Sequence, residues 1–398
     1  MESEQLVIEG IAAAPAPNKV HCIHFNQCHT CFLIGTDTGF AMYSVNPLEE
    51  KYRRDLGGGI GIAVQLFESN FVGLVGGGDN PAFPVNKFML WNDYTGEVVA
   101  EKREKDTIVG LRINHEVVAV LTRRRAVIYD LEKMKELRSI KTSSNQKGVC
   151  ALSSSKGSVF LCPGMEPGSV NIVDYMAGTE RIVKCHDGAL RSITLNTTYD
   201  DERAHSSGDT VFATTSEKGT LVRVFDVATQ TQLKELRRGH DECEIYSVEF
   251  SRDSKCLAVT SSKGNVHIFS LSKDFDNVSS RASFLKGVSS YLGSRWSPFS
   301  INFATATTPT DQKPGGKDFQ APPSGPQRHV ACVTSLSKGN ANTNDAYQLL
   351  ILGVDGSYAV HNLLFKDATS TPITSGLIRD IKKAQTYAQA AGASEKKS

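Results

Sequence analysis

One pattern returns seven times along the chain: a turn, then alternating apolar residues that close on an aromatic or a Val-Asp pair. The copies are TDTGFAMYSV, NKFMLWND, RRRAVIYDL, PGSVNIVDY, EKGTLVRVFDV, SKGNVHIFSL and VDGSYAVHNL. Aligning them superposes Tyr43, Trp91, Tyr129, Val173, Phe225, Phe269 and His361, and five of the six intervals between these positions lie between 38 and 52 residues. A period of about 40 to 45 residues is that of a four-stranded propeller blade. Each copy follows two further runs with period-2 alternation and β-branched residues, as in IYSVEF and then CLAVTSS. The spacing predicts an all-β chain, a seven-bladed β-propeller of WD40-like repeats. Helical spacing is nearly absent before the last thirty or so positions, which argues against a Rossmann or barrel enzyme.

The sixth interval, 92 residues, must hold an insertion. It contains TATTPTDQKPGGKDFQAPPSGPQR, too rich in Pro, Gly and Lys to pack, so residues 306–328 are expected to be a disordered loop. The propeller is expected over residues 1–365, with a second insertion at 271–299 in blade six. Residues 366–398 read as a flexible tail in which an Ala-rich helix would be marginal.

Charge narrows the partners. Lys plus Arg number 44 and Asp plus Glu 43, so no bulk field favours nucleic acid or an acidic membrane, and any anion recognition must be local. No apolar stretch approaches the roughly 20 residues of a membrane span, and MESEQLVIEG carries acids where a secretory signal would be basic. A cytosolic location is expected. The nine cysteines, Cys22, Cys31, Cys150, Cys162, Cys256 and Cys332 among them, read as small buried hydrophobes of a reducing compartment.

Two site types are weighed and set aside. HCIHFNQCHTC gathers His21, Cys22, His24, Cys28, His29 and Cys31, yet no second Cys-x-x-Cys or spaced His pair completes a zinc set. The segment reads instead as two strands, VHCIHF and CFLIG, joined by the turn NQCHT, with Cys31 inside the core; no metal and no cofactor are expected. Catalytic signatures are missing too: there is no Gly-x-Ser-x-Gly, Walker sequence or His-Glu-x-x-His, and the glycine runs VGGGDN and DLGGGIGI precede no helix. No enzyme is expected.

The stretch LKELRRGHDECEIYSVEF, residues 233–250, sets Arg237 beside Arg238 at a strand edge. Successive side chains of an extended segment point to opposite faces, so the two arginines should serve two pockets. Blade five offers Ser216, Lys218, Thr220 and Arg223, and blade six Ser261, Ser262, Lys263 and His267. Hydroxyls interleaved with cations are what multidentate phosphate recognition requires.

With these residues the chain resembles the PROPPIN or WIPI family, seven-bladed propellers that bind phosphoinositides through a Phe/Leu-Arg-Arg-Gly motif, here Leu236, Arg237, Arg238 and Gly239. LVGGGDNPAFPVNKFMLWND, SEKGTLVRVFD, VHIF and SYLGSRWS match in the family's order, so the resemblance runs from about residue 20 to 365, closest to the branch whose motif begins with Leu. It implies sites for phosphatidylinositol 3-phosphate and 3,5-bisphosphate: one from Arg237 with Ser216, Thr220, Arg223 and His186, the other from Arg238 with Thr260, Ser261 and His267. In the second, Asn265 stands where the family has Thr and the turn is one residue shorter. The resemblance also implies an apolar loop of blade six that enters the bilayer, here Phe284, Leu285 and Val288, while Tyr291 and Trp296 pack on the propeller side. Two pockets plus an inserted loop would act by avidity. Recruitment of a solution monomer to autophagosomal and endosomal or lysosomal membranes, where it holds autophagy proteins such as the lipid-transfer protein Atg2, is the implied role. The rival reading is a generic WD40-type interaction scaffold, favoured by the repeat-like start GHDECEIYSVEFSRDSKCLAV.

Overall fold

Each repeated motif forms the third of four consecutive antiparallel strands of its sheet, and all seven aligned positions, from Tyr43 to His361, are the fifth residue of that strand. The computed structural model describes residues 19–154, 157–196, 210–271, 278–279, 295–303, 328–335, 346–365 and 369–381. Within them the chain builds seven blades in sequence order, a β-propeller. In blades one, two, three, five and seven the outer strand carries a bulge opposite the aligned position. A bulge twists an edge strand away from flat pairing with another edge, so the rim is protected from edge-to-edge association.

Alternation along the strands gives each blade two apolar faces, and adjacent blades bury them against one another. Seven clusters of buried side chains fill the seven junctions. The ring closes between blades seven and one by side-chain packing, with Leu350, Leu352 and Val360 against Ile23, Phe32 and Tyr43.

The predicted boundary at residue 365 falls inside blade seven. Thr369–Leu377 is that blade's outer strand, and the following Ile378 and Ile381 are buried in the closing cluster, so the expected flexible tail begins no earlier than residue 382. The segment reads as polar because an outer strand exposes most of its side chains. Residues 304–327, most of the expected disordered loop, lie outside the described residues; its last member, Arg328, is described and its carbonyl accepts from the Val354 amide at 2.9 Å. Of the blade-six insertion, Phe299 belongs to the blade's outer strand Phe299–Asn302. Two short pieces of the insertion extend blade five: Arg295–Trp296 pairs in parallel with Leu236–Arg237, and Val278–Ser279 pairs with Arg295–Trp296. The backbone of Trp296 is thereby paired to the outer strand of blade five. Phe284, Leu285, Val288 and Tyr291 lie outside the described residues.

Candidate functional site

The strand pair Val20–Phe25 and Cys31–Thr36 forms as the sequence predicts, with the Asn26 side-chain oxygen capping the turn by accepting from the Thr30 and Cys31 amides at 3.0 and 3.1 Å. Burial drives the His24 imidazole down to about 3 and the Cys22 thiol up to about 11, so the thiolate a metal would need is disfavoured at Cys22. Cys31, expected inside the core, is partly exposed, because it opens its strand next to the turn. Among the described residues no three His, Cys, Asp or Glu side chains converge to hold a metal.

The arginine pair ends the outer strand of blade five, Gln232–Arg237. Register assigns its faces. Ser216, Leu221 and Arg237 occupy one row of the sheet, and Thr214, Arg223 and Glu235 another on the same face. That face looks toward blade four: the Arg223 Nη1 donates to the Cys185 carbonyl at 2.6 Å, and the His186 Nε2 is 3.0 Å from the Thr214 hydroxyl. The opposite face, with Val222, Val224 and Leu236, packs on Ile245, Val248 and Val259 of blade six. Arg237 and Arg238 therefore serve different junctions, as alternation predicts.

At the junction of blades four and five, Arg237 is 7% exposed and shares its surroundings with Glu235, which itself accepts from the Arg223 Nε at 3.0 Å. Burial presses on the charged form of Arg237 and Glu235 partly offsets it. His186 is held down to about 4, first by burial and then by the Arg223 guanidinium, so it is neutral near pH 7. The structure thus joins Arg237, Ser216, Arg223 and His186. Thr220 stands elsewhere: its carbonyl accepts from the Arg238 amide at 2.9 Å, which makes it the cross-strand partner of the second arginine.

At the junction of blades five and six, Arg238 is 5% exposed. Its Nε donates to the Gly219 carbonyl at 2.9 Å and its Nη2 to the Asp241 carbonyl. His267 lies close enough to feel its charge and is lowered to about 4, by burial first and Arg238 second. Ser261 is fully buried and faces the same junction, since alternation puts it on the face of Leu257 and Val259. Thr260 does not join this group. It lies on the opposite face, where its hydroxyl meets Ser247 at 2.9 Å and donates to the His329 carbonyl at 2.8 Å toward blade seven. Gly239 has open space where a Cβ would stand and no positive φ, so the backbone makes no demand for glycine there.

Two participants escaped the sequence reading, Thr214 and Glu235. Both alternate in register with Arg223 and could have been found from strand parity. Each junction now holds a buried guanidinium, a neutral imidazole and at least one hydroxyl at the rim of one rigid sheet. Such a set suits a multiply charged oxyanion, which accepts from all three and compensates the buried cation.

A family model described as PROPPIN matches residues 19–311. Autophagy-related protein 18e of Arabidopsis thaliana is 34% identical over 275 residues, spanning 67% of this chain and 71% of that protein. SVP1-like protein 2 of Neurospora crassa is 32% identical over 260 residues, 65% of this chain and 58% of that protein. Of the solved structures, Kluyveromyces lactis Hsv2 superposes with a TM-score of 0.65 at 19% identity, covering 91% of this chain and 100% of that one. The complex of KlAtg21 with the coiled coil of AgAtg16 gives 0.64 at 18%, covering 90% and 99%. At these identities the structural likeness speaks for the fold.

Proposed function

The chain belongs to the PROPPIN family, and on that premise we propose that it is a phosphoinositide effector that reads 3-phosphorylated headgroups with Arg237 and Arg238. The observation that carries this reading is the placement of two consecutive, almost fully buried arginines in two separate blade junctions, each beside a histidine held neutral and a buried serine. Phosphatidylinositol 3-phosphate and phosphatidylinositol 3,5-bisphosphate are the proposed ligands. Site one comprises Arg237, Arg223, Ser216 and His186; site two comprises Arg238, Ser261 and His267, with Thr220 at its edge.

Phe284, Leu285 and Val288 are the proposed bilayer anchors, in the insertion whose base is paired to blade five beside the motif. A rim carrying two weak pockets and an anchor binds by effective concentration, so neither pocket needs high affinity alone. The near-zero net charge fits this mode, because a generally acidic surface gives little attraction. The membranes concerned would be autophagosomal and endosomal or lysosomal, and no helix among the described residues is long and apolar enough to cross one. Several relatives are named as autophagy-related proteins, and one structural neighbour was solved with an Atg16 coiled coil. Recruitment of autophagy proteins, Atg2 among them, to the autophagosome is accordingly the proposed output, without catalysis.

Fractionation of cells expressing the wild type and the Arg237→Thr/Arg238→Thr variant tests the reading. A lipid effector loses its membrane pool in the variant. A pure interaction scaffold keeps both its membrane pool and its co-precipitating partners.

A further inference from the structure

A second cluster of cations lies on the inner strands and does not include the arginine pair. The inner strands of the blades surround a central cavity of about 410 Å³. In blades one, two, three, five and six the inner strand carries a bulge at its second residue, which is His21, Gly61, Val109, Arg191 or Tyr246. All five line the cavity. A bulge re-aims the side chain it carries, and here the recurrence turns one residue per blade to the same mouth of the channel.

The chemistry at that mouth is unbalanced. Arg191 donates from Nε to the Ile245 carbonyl at 3.0 Å and is paired with Glu244. Lys147, entering from blade four, reaches the same Glu244 carboxylate at 3.7 Å. Arg328, from the start of blade seven, also lines the cavity, and its charge is opposed by burial and by the neighbouring Arg191 guanidinium. Three cations from three blades thus share one carboxylate. Asp37, beside the cavity-lining His21, is engaged by it at 2.6 Å and by the Lys19 amide at 3.1 Å. Glu249 and Arg112 line the same cavity further along the inner strands.

We propose that this mouth binds a soluble, multiply charged phosphate compound, held by Arg328, Arg191 and Lys147 with the Tyr246 hydroxyl beside them. A single carboxylate is already present and leaves an excess of cations, so a ligand with two or more negative charges is required. Guanidinium forks match phosphate oxygens in pairs, which favours a phosphate over a halide or a lone carboxylate. The site opens on the channel and shares no residue with the arginine pair of blade five, so it stands whether or not that pair reads lipid.

The test is calorimetric titration with pyrophosphate in the Arg237→Thr/Arg238→Thr background, which removes both candidate lipid pockets. The expected result is one saturable site, weakened about tenfold to a hundredfold by Arg328→Gln, the effect of losing a charge-assisted hydrogen bond. Lys147→Gln, at a side chain too exposed to affect folding, weakens it in the same direction. In the otherwise unaltered chain Arg328→Gln leaves binding to vesicles of phosphatidylcholine with phosphatidylinositol 3-phosphate unchanged, which separates a soluble ligand from a lipid headgroup. No heat of binding in the double-variant background, equal binding by Arg328→Gln and Lys147→Gln, or binding of an acidic peptide but not of pyrophosphate would overturn the proposal.

Discussion

The guanidinium of Arg238 donates to the carbonyl of Gly219 at 2.9 Å, and Gly219 holds a φ of +64° with a would-be Cβ only 2.1 Å from the Cys243 carbonyl. The motif's own glycine, Gly239, is under no such constraint. Gly219→Ala should therefore destabilise by ~1 to 2 kcal/mol for the left-handed backbone alone and disturb the second pocket. Gly239→Ala should stay within about 0.5 kcal/mol of the wild type. Thermal unfolding of the two variants side by side checks the contrast.

The two pockets should contribute separately. Arg237→Thr and Arg238→Thr, each alone, are expected to weaken vesicle binding about tenfold to a hundredfold, the loss of one charge-assisted contact. A variant at one junction should leave the other junction's histidine unperturbed, which NMR of His186 and His267 would read.

Both histidines sit at about 4 in the free protein, His186 facing Arg223, Glu235 and Asp187, and His267 facing Arg238. A bound phosphate raises the pKa of a neighbouring imidazole, so binding takes up a proton and affinity increases as pH falls through the bound-state value. Headgroup titrations carried from about pH 7 down toward the free-state value of about 4 should show this slope in the wild type. They should show a shallower one in His186→Gln/His267→Gln.

Glu249 gives a stability prediction with the opposite sense from a salt-bridged acid. Burial raises its pKa from 4.5 to about 7, against the pull of Arg112, so the folded state holds a proton that the unfolded chain releases. Stability is therefore lost as pH rises from 4.5 through about 7, at most about 3 kcal/mol from this group. Glu249→Gln should remove that loss, and denaturation curves at about pH 5 and pH 8 would measure it.

The end of blade seven should be indispensable to ring closure. Ile378 is 2% exposed in the cluster joining blades seven and one, so Ile378→Ala is expected to cost about 2 to 5 kcal/mol. A chain ending at 365 should fail to fold cooperatively.

Strand parity explains what the sequence made legible and what it did not. The third strands carry a strong apolar alternation, so their register was readable down to the fifth residue. Adjacent arginines had to diverge for the same reason. Thr260 was misplaced because a hydroxyl next to Ser261 looks equivalent in sequence, and only the contact with His329 reveals that it faces the next blade. Thr369–Leu377 was hidden by its exposure, since TSTPITSGL buries too few side chains to leave an apolar signal. The cluster of Lys147, Arg191 and Arg328 comes from three blades far apart in the chain, and no local pattern announces such a meeting.

The central claim is that Arg237 and Arg238 read a 3-phosphorylated lipid. Flotation with vesicles carrying phosphatidylinositol 3-phosphate, phosphatidylinositol 3,5-bisphosphate or phosphatidylserine alone tests it most directly. The wild type should float with the first two and stay behind with the third, and the folded Arg237→Thr/Arg238→Thr variant should float with none. Equal flotation of the variant, or a wild type that floats with phosphatidylserine alone, would contradict the account.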